Sequence, residues 1–577
     1  MRKAGRELIK VTAGGIRWQV LPEWRHLLFG SGGLRLHEWL RDGLAHIVKN
    51  GPHRTVYRIA MPGLSFYLKH YRLSGVRAWL RQLVRPAKAR LEFERALAVA
   101  ERRVPTVVPI ALGEGSKGPG PSDSFLITRG LDKAEPVSSF IENTLAGFEA
   151  ARRTRVRQRL AAALGEFVAQ LHLAGVVHHD FHPANLLVRI DGDNLRVHLI
   201  DLDAVRLGRP LTWRASRDNL VILNRWFMVR ASRSDRLRFW LAYCRARSCF
   251  PGAWARPARL PTTPASRRNA IRETGRDLER RTLESNWHFW RKRDRRCLVS
   301  NRYYTRCRSA VAGGYAVRDL DADSLRCLLA DPDAPFVEPC KKLLKDSPSS
   351  TVAEFALPVN GVLCPVIYKR FRIKSWTDPW RALLRQTPAV RSWIYGHGLR
   401  ERLLPTARPL AVFQRRRGLL SYESYLVTEK IMDARDLHDY LAHVSTLSAA
   451  GRQGLLRTRI DQVAQLVRSL HERRLSQRDL KAVNILFTDK AAWLIDLVGV
   501  ASHRRLSRAR RLQNLARLHA SFHDSRLLTR TDKLRFLRAY LRWGLFGRQG
   551  WKDWWRAVHK STQAKVARNA RTGRPLA

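Results

Sequence analysis

Apolar and polar positions along this chain trace a short series of elements, and then trace it again. Residues 56–68 alternate around Met61-Pro62-Gly63, which predicts two strands joined by a turn, with Lys69 on the second. Residues 87–103 carry apolar side chains at helical spacing and stop before Pro105. Residues 156–174 make a longer helix with one apolar face, ended by Gly175, which delivers the chain to a loop around Asp180. Residues 195–200 are a short strand that aims Asp201. Lys369 in Tyr368-Lys369-Arg370-Phe371 then follows Lys69 in Tyr67-Leu68-Lys69-His70-Tyr71 by 300 positions, and Leu404-Pro405-Thr406 follows Val104-Pro105-Thr106 by the same 300. Asp479 follows Asp180 by 299 and Asp496 follows Asp201 by 295, so a short loop between those carboxylates differs in length. Later segments repeat too: Asn219-Leu220-Val221-Ile222-Leu223 matches Asn514-Leu515-Ala516-Arg517-Leu518.

Repetition from a strand lysine to the last helices implies two whole domains. The length of 577 residues agrees, since one hydrophobic core seldom grows that large. The expected divisions are an N-terminal extension at 1–19, domain one at 20–255, a basic aromatic linker with a helix at 256–309, domain two at 310–560 and a basic tail at 561–577. Charge changes the picture more than hydrophobic content does. Lys and Arg number 107 against 49 acidic residues, a formal +58 that favours polyanions such as an anionic membrane surface. Part of that excess is a solvated, arginine-rich surface. The seven cysteines form no CxxC pair and leave one over, which fits a reducing compartment and argues against a zinc site. The basic N-terminus lacks the apolar run of a signal peptide, and no stretch of 18 apolar residues appears, so a membrane role is expected to be peripheral.

The repeated residues have a chemistry in common. A strand lysine, an Asp with Asn five residues on, and a strand-end Asp come in the order that transfers phosphate from ATP. Lys69 and Lys369 can hold phosphates as point charges. Such a lysine needs a helix carboxylate to orient it, and Glu92, 13 residues before Pro105, is favoured over Glu94, which lies on another helix face. The same count back from Pro405 gives Ser392, so domain two lacks that partner. Asp180 and Asp479 are candidate bases for an attacking hydroxyl. Asn185 with Asp201, and Asn484 with Asp496, offer oxygens to magnesium. Singly, Asp and Asn more often cap turns; the ordered set in two copies argues for chemistry. His178 is read as a histidine that fixes its loop, and domain two has Gln477 there. Two residues after the base, domain one has His182 and domain two Lys481, a lysine able to neutralise a γ-phosphate. Neither phosphate-covering segment, Lys49 to Tyr57 or Lys345 to Val352, is a GxGxxG loop.

These residues resemble the lipopolysaccharide kinase (Kdo/WaaP) family. The resemblance rests on Asn50-Gly51-Pro52-His53-Arg54-Thr55-Val56-Tyr57, the Lys69 strand, the helix before Val104-Pro105-Thr106, and His178-His179-Asp180-Phe181-His182. It implies an α+β fold of two tandem protein-kinase-like domains, each with a small antiparallel β-rich N-lobe and a larger helical C-lobe. It also implies ATP and Mg2+ as cofactors, a sugar hydroxyl of a lipopolysaccharide-core glycolipid as acceptor, and a place at the inner face of a bacterial cytoplasmic membrane. The working residues it implies are Lys69, Glu92, Asp180, Asn185 and Asp201, and in domain two Lys369, Asp479, Asn484 and Asp496. Arg129, where domain two has Glu429, departs from the pattern, as do Ser392 and Gln477.

Two other readings compete. Asp479-Leu480-Lys481 is the form protein kinases use, but the stretch 499–512 is short and basic, with little room for a peptide-docking loop. A pseudokinase scaffold on a membrane or polyanion would need none of the retained Lys, Asp and Asn residues. No zinc finger or recognition-helix pattern points to a specific nucleic acid.

Overall fold

Alternation builds a sheet from the start of the described chain. Ile9–Ala13 (β1) and Ile16–Val20 (β2) pair around Gly14 and Gly15, at φ 61° and 72°, the conformation a two-residue hairpin turn requires. The stretch expected as an extension is thus the edge of domain one's sheet. Trp18 of β2 is 1% exposed and lies against Gly113, where a Cβ would come within 2.7 Å of its ring. Five more strands follow: Ala45–Asn50 (β3), Arg54–Met61 (β4), Leu64–Tyr71 (β5), Pro109–Gly115 (β6) and Ser124–Arg129 (β7). The sheet is antiparallel throughout, in the order β1-β2-β6-β7-β5-β4-β3. Phe66, Leu68, Ile110 and Ile127 are buried with Trp18, while helix α1, Lys88–Glu101, packs on β6 and β7. The computed structural model describes residues 7–573 except 74–75, 116–121, 193, 249–263, 338–341, 374, 376, 379, 381–384, 418–419, 524–527 and 542–549. The opening of the expected linker, 256–263, lies outside the described residues.

Below the sheet the chain is mostly helical. Helix α2, Ala150–Leu173, is capped by Glu149, whose carboxylate accepts from the Ala151 and Arg152 amides, and Gly175 at φ +71° follows its end. It starts earlier than its apolar face at Val156, because the exposed first turns carry no apolar period. Trp213–Arg230 (α3) and Arg233–Ser248 (α4) complete the core with Leu164, Phe167, Val168, Leu220, Trp240 and Tyr243. Gly165 lets α2 meet α4 closely: a Cβ there would stand 2.4 Å from the Phe239 carbonyl oxygen. The hairpin Leu186–Asp191 and Asn194–Leu199 (β8, β9) leads to Asp201.

Helix α5, Pro264–Asp294, fills most of the stretch expected as linker. Ile271 and Leu278, one heptad apart in a charged sequence, pack into domain one's core. Trp240 Nε1 donates to the Ile271 carbonyl (2.8 Å) and Asn224 Nδ2 to Thr282 Oγ1 (3.1 Å). Two compact units result, Met1–Ser285 and Asn286–Ala577. In the second unit the aromatic segment 287–296 is engaged in packing. The Arg402 guanidinium sits 4.4 Å from the Trp290 ring centre and makes two bonds, 2.7 and 2.8 Å, to buried Asp294.

Domain two rebuilds the same frame. Its strands are Tyr304–Arg308 (β10), Ala312–Val317 (β11), Lys342–Ser347 (β12), Ser350–Val359 (β13), Val362–Phe371 (β14), Pro409–Arg417 (β15) and Leu420–Glu429 (β16). Their order, β10-β11-β15-β16-β14-β13-β12, repeats that of the first sheet. Helices follow at Pro388–Glu401 (α6), Ala449–Glu472 (α7), Arg508–Ala520 (α8), Arg530–Leu541 (α9) and Trp551–Arg571 (α10). The changed offset before Asp496 comes from a shorter hairpin, Ile485–Phe487 with Ala492–Leu494. The basic stretch after 561 continues α10 to Arg571, with Trp554, Val558 and Thr562 buried against the domain. Among the described residues no helix is long and apolar enough to cross a membrane.

Candidate active site

In domain one, β5 and α1 bring two predicted residues, Lys69 and Glu92, together with the strand-end Asp201. Lys69 Nζ lies 2.5 Å from Glu92 Oε1 and 3.5 Å from Asp201 Oδ1. Glu92, 2% exposed, also accepts from the Tyr71 hydroxyl at 2.6 Å. A buried carboxylate needs such donors, since an unpaired buried charge is costly. Asp201 stands at φ 60°, a left-handed conformation Asp tolerates better than most residues, so that its carboxylate faces Lys69 and Arg54. Arg54 Nη1 donates to Asp201 Oδ1 at 3.0 Å. Burial opposes the charge on Asp201, but Lys69 and Arg54 together overcome it and hold the carboxyl below its ordinary range.

The loop carrying Asp180 is fixed by its neighbours. The Asp180 amide donates to His178 Nδ1 (3.2 Å), and Asn185 Nδ2 donates to the Asp180 carbonyl (2.8 Å). That bond turns the Asn185 amide so that its Oδ1 is the atom left to meet a ligand. Asn219 of α3 donates to the His178 carbonyl (2.7 Å) and contacts His172 Nε2 (3.2 Å), whose Nδ1 meets the Tyr243 hydroxyl (3.0 Å). Burial pushes His172 down to about 3, so it stays neutral in this network. The Val104-Pro105-Thr106 segment has a role as well: Thr106 Oγ1 and the Pro105 carbonyl bond the Leu199 backbone (2.7 and 2.9 Å), tying the sheet to the strand that leads to Asp201. Asp201 thus stands beside the strand lysine, and the Asn185 carbonyl accepts from the Ile200 amide (3.0 Å), which ties the Asp180 loop to the residue before Asp201.

Domain two keeps the frame and changes the partners. Lys369 Nζ is 3.1 Å from Asp496 Oδ2, and Asp496 is again left-handed at φ 52°. Asn484 Nδ2 donates to the Asp479 carbonyl (2.9 Å), and Thr406 and Pro405 bond Leu494 as their counterparts do. Gln477 does the work of the loop histidine. Its Oε1 accepts from the Asp479 amide (3.3 Å) while its Nε2 donates to the Asp496 carbonyl (2.7 Å). Ser392 stands where Glu92 does, 3% exposed, and its hydroxyl has no hydrogen-bond partner among the described residues. The strand register that opposes Arg54 to Tyr71 opposes Ser350 to Phe371. All three partners of the first site, Arg54, Tyr71 and Glu92, are therefore replaced together. Lys369 lies 4.8 Å from the Phe371 ring centre instead. Arg517 of α8 is new: its Nε stands 3.2 Å from Asp479 Oδ1. Its counterpart, counted from Asn219 and Asn514, is Ile222.

A model of the lipopolysaccharide kinase (Kdo/WaaP) family matches this chain twice, over residues 46–243 and 360–540. The chain belongs to that family. The lipopolysaccharide core heptose(I) kinase WaaP of Pseudomonas aeruginosa is 27% identical over 203 residues, 33% of this chain and 74% of the relative. A 3-deoxy-D-manno-octulosonic acid kinase of Stenotrophomonas maltophilia is 32% identical over 170 residues, 28% of this chain and 62% of the relative. A solved structure described as WaaP in complex with acyl carrier protein aligns with 45% of this chain and 99% of that one, at 21% identity and a TM-score of 0.31. Two kinase-like domains of mixed α and β structure are thus established, with relatives that are sugar kinases of the lipopolysaccharide core.

Arg54, Tyr71 and Arg517 were not singled out from sequence. Each acts across elements, through register or helix packing. Aligning the two halves carries a signal for the first two, because Arg54, Tyr71 and Glu92 all change in the second copy.

Proposed function

We propose that this chain is an ATP-dependent phosphotransferase acting on a sugar hydroxyl of a lipopolysaccharide-core-like glycolipid, with domain one as its principal site. The observation that carries this reading is Lys69 held between Glu92 and Asp201, while Lys369 has Ser392 in place of the helix carboxylate. In this reading Lys69 holds the α- and β-phosphates of ATP, oriented by Glu92. Asn185 Oδ1 and Asp201 hold Mg2+, which supplies charge neutralisation on the phosphates. Asp180 accepts the proton of the attacking sugar hydroxyl as the new oxygen–phosphorus bond forms, and the bond from γ-phosphorus to the bridging oxygen breaks to release ADP. In domain two Lys369, Asp479, Asn484 and Asp496 take the same parts, with Lys481 toward the γ-phosphate, and transfer is slower for want of a lysine-orienting carboxylate.

A peptide acceptor has less support. Eleven residues separate Asp201 from α3 and eleven separate Asp496 from α8, a short span for a peptide-docking segment in either domain. The +58 charge supports a peripheral position on an anionic leaflet, where each nearby cation contributes about 1 kcal/mol. The test is transfer of labelled γ-phosphate from ATP to dephosphorylated lipid-A–core glycolipid, with the product read by 31P NMR as a sugar phosphomonoester. Label found only in protein would overturn the sugar-kinase reading.

A further inference from the structure

The two catalytic loops face differently built acceptor sides. In domain one His182 follows the base by two residues, and α3 sets Trp226 beside it, with ring centres 6.4 Å apart. Arg230 stands over the Trp226 ring, 4.6 Å from its centre, and Arg225 is bonded to Ser285 of α5 at 2.9 Å. In domain two, Ser521 stands at the place of Trp226, and its hydroxyl accepts from the Ala482 amide (3.2 Å). Cations gather there instead. Lys481 replaces His182, and Arg517 replaces Ile222. The last helix adds a third. Thr282 and Thr562 hold like places, each bonding back to the carbonyl four residues earlier; three residues on, domain one has Ser285 and domain two Lys565.

The geometry holds these groups close to the base. Arg517 reaches Asp479 and also donates to the Arg478 carbonyl (2.8 Å), so its guanidinium is fixed over the loop. Thr562 contacts His519 and the Ala516 carbonyl, which seats α10 on α8 and brings Lys565 beside Arg517. Lys565 Nζ is bonded to Asn569 (2.7 Å), a neutral partner. Burial first, then Arg517, Arg568 and Lys481, disfavour its charge, while Asp479 favours it. Like charges repel, so a fold that sets Arg517, Arg568 and Lys481 near Lys565, with Arg517 paired to Asp479, is storing attraction for an anion. At the three equivalent positions domain one has His182, Ile222 and Ser285, none of them a lysine or arginine.

We propose that Arg517 and Lys565 form a subsite for a phosphate monoester already carried by the acceptor glycan of domain two, with Lys481 between this subsite and the γ-phosphate. The inference rests on reading the Asp479 loop as a kinase loop. The phosphate draws Arg517 from Asp479, which frees the carboxylate to take the hydroxyl proton. An acceptor without phosphate leaves Asp479 paired. Domain two therefore consumes the product of an earlier sugar phosphorylation, the class of reaction proposed for domain one.

The test uses the full chain and needs no turnover. Lys565 is acylated by dilute acetic anhydride, and its rate is followed by mass spectrometry beside that of Lys560, an exposed lysine on the same helix. Glucose 6-phosphate should slow Lys565 at least fivefold and leave Lys560 unchanged. Glucose should do nothing, and inorganic phosphate should protect more weakly. Arg517→Gln should abolish the protection, while Arg517→Lys, which keeps the charge, should retain at least half of it. Equal protection of Lys560, protection by MgATP alone, or full protection in Arg517→Gln would overturn the proposal. A chain that protects Lys565 but transfers no phosphate keeps the subsite and loses the kinase reading. One that transfers without protection does the reverse.

Discussion

Substituting Glu92→Ser gives domain one the helix residue that domain two has. Lys69 then loses its 2.5 Å partner and keeps only Asp201 at 3.5 Å, while the Tyr71 hydroxyl loses its acceptor. A hydrogen bond to a charged group contributes about 1.5–3 kcal/mol. At about 1.4 kcal/mol per tenfold in rate, misplacing Lys69 lowers kcat/KM by about 10- to 150-fold. Breaking one side of a buried pair costs about 3–5 kcal/mol. The lower end applies, because the Lys69 side chain is 15% exposed and retains Asp201. The assay is steady-state transfer to core glycolipid, with thermal unfolding followed in parallel. Tyr71→Phe acts through the same carboxylate, so the double variant should be no slower than Glu92→Ser alone. A folded Glu92→Ser protein within threefold of the parent would refute the reasoning.

Other outcomes follow from the same geometry. Ser392→Glu combined with Phe371→Tyr should raise domain two's transfer about tenfold in an Asp180→Asn background, read with phosphorylated acceptor; no gain would show that the missing partner is not what limits it. Arg54→Met removes one of two cations that hold Asp201 below its ordinary range, so the acid limb of the pH–rate profile should move to higher pH. His172 and His471 are pushed by burial down to about 3 and about 4. Both are neutral when folded and take up a proton on unfolding below about pH 6.5, so their contribution is complete above that pH and is lost as pH falls. Urea unfolding at pH 7 and pH 5 should show each domain losing about 1.4 kcal/mol per pH unit per histidine, and a flat profile would contradict the neutral assignment.

Much of this site could be read before any coordinates. The strand of Lys69, the helix of Glu92 and the loop of Asp180 each sit on a clean period of two or 3.6, and the second copy fixed their limits. Counting back from Pro405 found Ser392 because helix length is kept between the copies. Gln477 departs from the pattern by letter and not by chemistry: a side-chain amide can accept and donate where an imidazole does, and both bonds are present. The N-terminal hairpin was hidden by its basic residues, although Ile9, Val11 and Ala13 alternate. Helix α5 is legible as a helix, but Ile271 and Leu278 stand among charges in its first half, so its packing on domain one is not. Arg54, Tyr71 and Arg517 gain meaning only from register and helix packing, which bring together residues far apart in sequence.

The most direct test of the account compares Asp180→Asn and Asp479→Asn in the full chain, measuring phosphate transfer from ATP to dephosphorylated lipid-A–core glycolipid. The account predicts that Asp180→Asn abolishes the first phosphorylation and that Asp479→Asn leaves it nearly intact. Transfer that survives Asp180→Asn and vanishes with Asp479→Asn would contradict it.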